Sequence, residues 1–179
     1  QNEYLYQSEG FKEETVIGLE YGNKFEIDWV NGQKTGFFID QRENRKLLAE
    51  FSKDKKILNT FCYSGGFSVF ALNAGAAEVH SLDSSKKAIE LVENNVKLNP
   101  DFKGKHETIL ADAVQYIKDL PEEYDVIVLD PPAFAKRKDA RHNAIQGYKR
   151  LNGRAIEQRK PGGVIFTFSC SQVVGKDLF

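Results

Sequence analysis

The period of apolar and polar positions changes twice along the chain. From Lys24 to Val30, "KFEIDWV" alternates in the two-residue rhythm of a half-buried strand, and Asn31-Gly32 follows before "QKTGFFID". Asn-Gly tolerates positive φ at both central positions of a tight turn, so this stretch predicts a β-hairpin. From Gln41 to Ser52, "QRENRKLLAEFS" takes helical spacing and sets Leu47, Leu48 and Phe51 on one face. Residues 1–40 are therefore expected to form a small β-rich appendage, and residues 41–179 the main domain.

After Lys56, short apolar runs alternate with amphipathic stretches. "KILNTF", "AEVHSLD", "HETILAD", "YDVIVLD" and "GVIFTFSC" read as five strands. Helices are predicted over Gly66 to Ala74, over "SSKKAIELVENNVKLN" and around Val114 to Leu120, with a basic one from about Arg141 to Arg159. The second of these carries Ala88, Ile89, Val92 and Val96 at helical spacing. Such alternation predicts an α/β, Rossmann-like fold: a mostly parallel sheet with helices on both faces, because parallel neighbours need crossover connections. Ligands of such sheets bind beyond the carboxyl ends of the strands, near the switch point in strand order.

The strand ends are where candidate chemistry collects. They read "FCYSGGF", Asp83, Asp112, "DPPAF" and Cys170. Gly65 and Gly66 allow close backbone approach and a turn into the next helix. Asp83 stands where an acid can accept both ribose hydroxyls, although it could also cap the helix beginning at Ser84 or Ser85. Asp112, before Ala113, could likewise cap a helix or meet an adenine amino group. Pro131 and Pro132 fix the backbone after Asp130 and remove two N–H donors, leaving a rigid rim. An acid held there can bond the edge of a planar base, and Phe134 could stack on it. Cys170 ends its strand between two serines, as either a packing residue or a nucleophile.

Composition narrows the classes. The 179 residues, 41% hydrophobic and 28% charged, fit a soluble globular chain. No apolar run approaches the roughly 20 residues that span a bilayer, so no membrane partner is expected. Two cysteines, Cys62 and Cys170, are too few for a disulfide framework and lack zinc-ligand spacing, which points to the cytoplasm and to no metal site. Net charge is −1, yet Pro131 to Lys160 holds nine Lys/Arg against Asp139 and Glu157, a local +7. Such a run is often only a solvated helix face, but here it follows the segment that would hold a base.

In combination, "NGQKTGFFIDQRENR", "LNTFCYSGGFSV", "SLDSS", "DPPAF" and "TFSCS" resemble the bacterial large-subunit ribosomal RNA cytosine-C5 methyltransferases. These are S-adenosylmethionine-dependent enzymes of the Rossmann-like class I fold. The resemblance implies S-adenosyl-L-methionine as cofactor and RNA, ribosomal RNA in particular, as partner. Phe61, Tyr63, Ser64, Gly65 and Gly66 would cradle the methionine part of the cofactor. Asp83 with Ser84 would hold the ribose, and Asp112 with Ala113 would lie by the adenine. Gln41, Arg42 and Asp130 would contribute further contacts. Cys170 is implied as nucleophile, with Asp130 as its acid partner at the base. Phe134, Lys136, Arg137, Lys138 and Arg141 would meet the RNA. The same resemblance implies an RNA-binding domain before Gln1 and closing strands after Phe179, so the chain is expected to be a fragment.

Three alternatives stay open on the residues alone. Exocyclic-amine methyltransferases use Asp/Asn-Pro-Pro-aromatic without a cysteine, whereas here the aromatic comes one position late and a thiol is present. C5-uridine enzymes end a strand in Ser-Cys and continue Asn-Pro, whereas this chain continues Ser171-Gln172. A non-catalytic cofactor- or RNA-binding module is the third. Cys62, in the cofactor turn, is expected to be structural, and His80 to be packed or partly exposed.

Overall fold

The computed structural model describes residues 9, 16–29, 32, 35–121, 123–135, 137–175 and 177–179. Strands β1 (Val16–Glu20) and β2 (Asn23–Ile27) form an antiparallel hairpin, with Glu20 opposite Asn23. The two loop residues, Tyr21 and Gly22, carry φ of 49° and 82°. That is the mirror-image turn whose twist matches a hairpin. The expected hairpin at Asn31-Gly32 is corrected accordingly. Its first strand ends at Ile27 and pairs backwards, and Thr35 to Phe38 form no strand. Val30, Asn31, Gln33 and Lys34 lie outside the described residues.

A single 3-10 turn, Ile39–Gln41, leads into helix α1 (Arg42–Glu50). Of the face expected to be buried there, only Leu48 is; Leu47 and Phe51 are exposed, and Arg45 is buried instead. Arg45 can be inside because its charge is matched. Its Nε and Nη2 donate to the two carboxylate oxygens of the buried Glu20 at 2.7 and 2.9 Å, and Nη2 also reaches Phe38 O. The pair ties hairpin to helix.

The remaining elements alternate as predicted: β3 (Lys56–Thr60), α2 (Gly66–Asn73), β4 (Glu78–Asp83), α3 (Lys86–Lys97), β5 (Lys105–Leu110), α4 (Ala113–Lys118), β6 (Val126–Leu129), α5 (Arg141–Gln158) and β7 (Val164–Thr167). The five strands are all parallel, in the order β5-β4-β3-β6-β7. Interior strand β6 is buried along its whole length, as strands covered on both faces are, while edge strand β5 is not buried at any position. The chain runs outward from β3 to β5, then crosses back to β6. The switch point therefore lies between β3 and β6, whose carboxyl ends carry the glycine turn and Asp130. One apolar cluster joins Leu48, Phe67, Phe70, Val79, Val92 and Val126 with Phe25 and Phe37 from the hairpin side. A second packs Leu58, Ile117, Tyr124, Ile127 and Leu151. Among the described residues no helix is long and apolar enough to cross a membrane.

Candidate active site

The turn after β3 is built by its neighbours. Phe61 and Tyr63 have φ of 54° and 45°, and Gly65, the residue before α2, has φ of 72°. A Cβ on Gly65 would stand 2.0 Å from Val92 Cγ2, and one on Gly66 would stand 2.9 Å from Arg45 Cδ. Both glycines are thus required for packing the turn onto α3 and α1. Asn95, fully buried on α3, donates to Ser64 O at 2.7 Å and accepts from Glu26 N at 2.7 Å, bracing the turn against the hairpin. Tyr63 OH reaches Gly36 O at 3.4 Å. Sequence reading missed Asn95, because a lone amide on a helix face carries no periodic signal.

Asp83 ends β4 with its carboxylate accepting from Tyr63 N at 3.1 Å and Ser85 N at 2.9 Å. It is not the cap of α3; Ser85 is, accepting from Ala88 N. Ser84 is exposed beside it. Asp112 does cap its helix, accepting from Gln115 N at 2.9 Å, and Ala113 behind it is buried. The Arg42 guanidinium lies over the Tyr21 ring, 4.5 Å from its centroid.

Register brings Cys170 to the segment that follows Asp130. Leu129 lies between Thr60 and Thr167, and Phe168 N continues the ladder to Leu129 O. Asp130 is therefore next to the glycine turn, and the chain after β7 passes the Asp-Pro-Pro rim. Cys170 Sγ lies 3.7 Å from Pro131 O and is exposed. Asp130 is half-buried, and that burial, reinforced by the charge of Asp40, raises its carboxyl to about 6 against the donor of Gln41 and the charge of Arg45. Cys62 is the opposite kind of thiol: buried, and pushed well up by desolvation and then by the Asp83 charge.

Beneath these two loops sits a third small cluster of Ala135, Ala144, Tyr148 and Val174. Tyr148 OH and Ser171 Oγ are 2.9 Å apart, both residues buried. The Phe134 ring lies 4.6 Å from that of Tyr148, and Gly147 leaves room for it, since a Cβ there would come within 2.9 Å. Phe134 is thus half-buried against α5. Arg137 and Arg141 are exposed, Lys136 lies outside the described residues, and of the Lys138 side chain nothing is described. Along α5, Ala144, Tyr148, Leu151 and Ala155 face inward, while Lys149, Arg150 and Arg154, and Arg159 just beyond the helix, face solvent.

Away from this edge, Glu78, His80 and Glu107 bring ligand-type atoms within 4.8 Å of one another. Lys56 Nζ at 3.3 Å from Glu78 and a 2.7 Å His80–Glu78 bond make this an ion-paired network. A cavity of about 510 Å³ opens at the amino edge of the sheet near Lys53, Asp125 and Gly162, and neither the glycine turn, Asp83, Asp130 nor Cys170 lines it.

A family profile described as S-adenosylmethionine-dependent methyltransferase matches residues 4–179. The chain belongs to this family. A ribosomal RNA large subunit methyltransferase of Deinococcus radiodurans is 40% identical over 169 residues, 93% of this chain and 41% of that protein. The ribosomal RNA large subunit methyltransferase I of Shewanella frigidimarina is 42% identical over 167 residues, covering 92% and 42%. The chain thus spans about two fifths of the length of these curated relatives. Among solved structures, a candidate S-adenosylmethionine-dependent methyltransferase from Streptococcus mutans superposes with a TM-score of 0.76 at 28% identity, over 90% of this chain and 42% of that one. A further candidate methyltransferase, solved with S-adenosylhomocysteine, gives 0.70 at 28% identity, over 90% and 43%.

The donor set suits the cofactor of this methyltransferase family. Each Asp83 oxygen accepts one backbone N–H and retains a lone pair for a ribose hydroxyl. Asp112 keeps its Oδ2 outside the cap, and the turn from Phe61 to Gly66 lies at the switch point where such ligands bind.

Proposed function

We propose that the chain is the catalytic part of an RNA methyltransferase that uses S-adenosylmethionine and forms 5-methylcytosine in ribosomal RNA through Cys170. The observation that carries this reading is the approach of Cys170 Sγ to the carbonyl of Pro131, the residue that follows Asp130. Thiol and carboxyl can face one base from the same edge, beside the cofactor turn. The names of the relatives favour ribosomal RNA as substrate.

When bound, S-adenosylmethionine supplies an electrophilic methyl group on a sulfonium. The protein's part is to make C5 of cytosine nucleophilic. Cys170, as thiolate, adds to C6; the new S–C6 bond pushes an electron pair toward C5. Asp130 shares its proton with N3 as negative charge develops on the ring, and its raised carboxyl suits that task near neutrality. Once C5 carries the methyl group, loss of its proton to solvent returns the electron pair to the ring, the N3 proton goes back to Asp130 and the thiolate leaves C6. A thiol of ordinary pKa, about 8.5, is only a few per cent thiolate at neutral pH, so proximity to the reacting base matters. The target base must leave its stack to reach this rim. Exposed Arg137, Arg141, Lys149 and Arg150 would neutralise flanking phosphates, making affinity fall steeply with salt.

The test is made in the full-length protein carrying this chain. Cys170→Ala is expected to abolish 5-methylcytosine while cofactor binding persists, and Cys62→Ala to retain most activity. RNA containing 5-fluorocytosine should trap a covalent adduct, because fluorine cannot leave as a proton. A methyl on an exocyclic nitrogen or on uridine, read by mass spectrometry of digested RNA, would overturn the proposal.

A further inference from the structure

Asp130 is met by a short chain of two amides. Gln41 Nε2 donates to Asp130 Oδ1 at 3.0 Å. Asn44 Nδ2 in turn donates to Gln41 Oε1 at 2.6 Å. A glutamine amide can present either its oxygen or its nitrogen. An ionised Asp130 only accepts, so Gln41 turns its nitrogen to the carboxylate and its Oε1 is left to accept from Asn44. The three residues come from the turn before α1, from the first turn of α1 and from the end of β6, so the chain crosses between elements.

We propose that Asn44 and Gln41 form an amide relay that positions Asp130, occupying one carboxylate oxygen and leaving the other for the substrate base. This rests on the reading of Asp130 given above and deepens it. Both amides are positioning residues, since they act through the carboxyl. A donor fixed on Oδ1 favours the charged carboxylate, while burial and Asp40 favour the acid, so the relay sets how far Asp130 is ionised near neutral pH. The charged groups acting on Asp130 are Asp40 from the preceding turn and Arg45 from α1; from the β7 side, the Cys170 thiol contacts the adjoining Pro131 carbonyl. Reversing the relay has a defined sign. In Asn44→Asp the side chain accepts rather than donates, so Gln41 would turn its nitrogen outward and present oxygen to Asp130, which then must be protonated.

The experiment is a carbon-13 carboxyl NMR titration of this chain, with the Asp130 signal assigned through Asp130→Asn. The midpoint is expected near 6 in the wild type, and about one unit higher in Gln41→Met, which keeps the side chain's length but removes the donor. Asn44→Asp is expected to raise it as well, and most of that second shift should vanish in the Gln41→Met background, since coupled residues are not additive. An unchanged midpoint in Gln41→Met overturns the relay. So does an Asn44→Asp shift of equal size in both backgrounds, which would be a direct charge effect. The pH profile of methyl transfer by the full-length protein separates the two readings. If its acid limb follows the NMR midpoints, Asp130 acts in the reaction as proposed. If the NMR midpoints move and the acid limb does not, the relay stands and the catalytic reading of Asp130 falls.

Discussion

Between about pH 4 and pH 6 the folded chain holds a proton on Asp130 that the unfolded chain releases, because the carboxyl is raised from 3.8 to about 6. The stability tied to this group is therefore fully present at low pH and lost as pH rises through that window. Asp130→Asn keeps an acceptor for Gln41 and removes the charge. At pH 7 it is expected to raise the melting temperature, by at most about 3 kcal/mol in free energy, and near pH 4 to leave it unchanged. A variant that destabilises equally at both pH values would contradict the raised carboxyl. At this scale the sequence was informative where a residue ended a strand. Asp130, Cys170, Asp83 and Asp112 all stand at the carboxyl edge, as their positions implied. It did not disclose which groups the buried or half-buried amides meet. The partners of Gln41 and Asn95 lie 89 and 69 residues away, and nothing local marks them.

Elements differ in how much of their geometry is local. The five parallel strands and the helices between them were legible because each apolar run or helical stripe is bounded by its own turn residues. The hairpin was misplaced because Asn-Gly is the stronger signal on paper, whereas Tyr21-Gly22 is the pair that the register closes. Pairing is decided by what the strands then bury, and only β2 in this frame sets Phe25 into the core. α1 was read as apolar on one face because a buried arginine needs a distant acid, Glu20, which helical spacing does not disclose. The glycine turn shows the same dependence on a neighbour. Gly65→Ala adds a Cβ in left-handed backbone and drives it into Val92. It is expected to lower stability by about 2 kcal/mol or more, read as a lower urea midpoint. Val92→Ala in the same chain should recover part of that loss by opening the space.

In the whole molecule, hairpin and sheet are joined chiefly through α1 and α3. The buried Arg45–Glu20 pair is one joint: Glu20→Gln leaves an uncompensated guanidinium and is expected to remove about 3 kcal/mol from the unfolding free energy in denaturant titration. α3 supplies the other. Asn99 accepts from Lys24 N and donates to Lys24 O, both at 2.9 Å, offering the outer edge of β2 the two bonds that another strand would have given. One turn earlier, Asn95 holds Glu26 N with its oxygen and Ser64 O with its nitrogen. A single side-chain amide therefore grips the hairpin with one end and the turn proposed for the cofactor with the other. Anything that stiffens the turn around Ser64 lowers the chance that this amide lets go, and the Glu26 N–H is protected from solvent only while it holds. Deuterium uptake at Glu26 is expected to slow several-fold on adding S-adenosylhomocysteine, although the hairpin need not touch the ligand, and Asn95→Ala should erase that response. Uptake that is indifferent to the ligand in the unsubstituted chain would show that the hairpin does not sense the site.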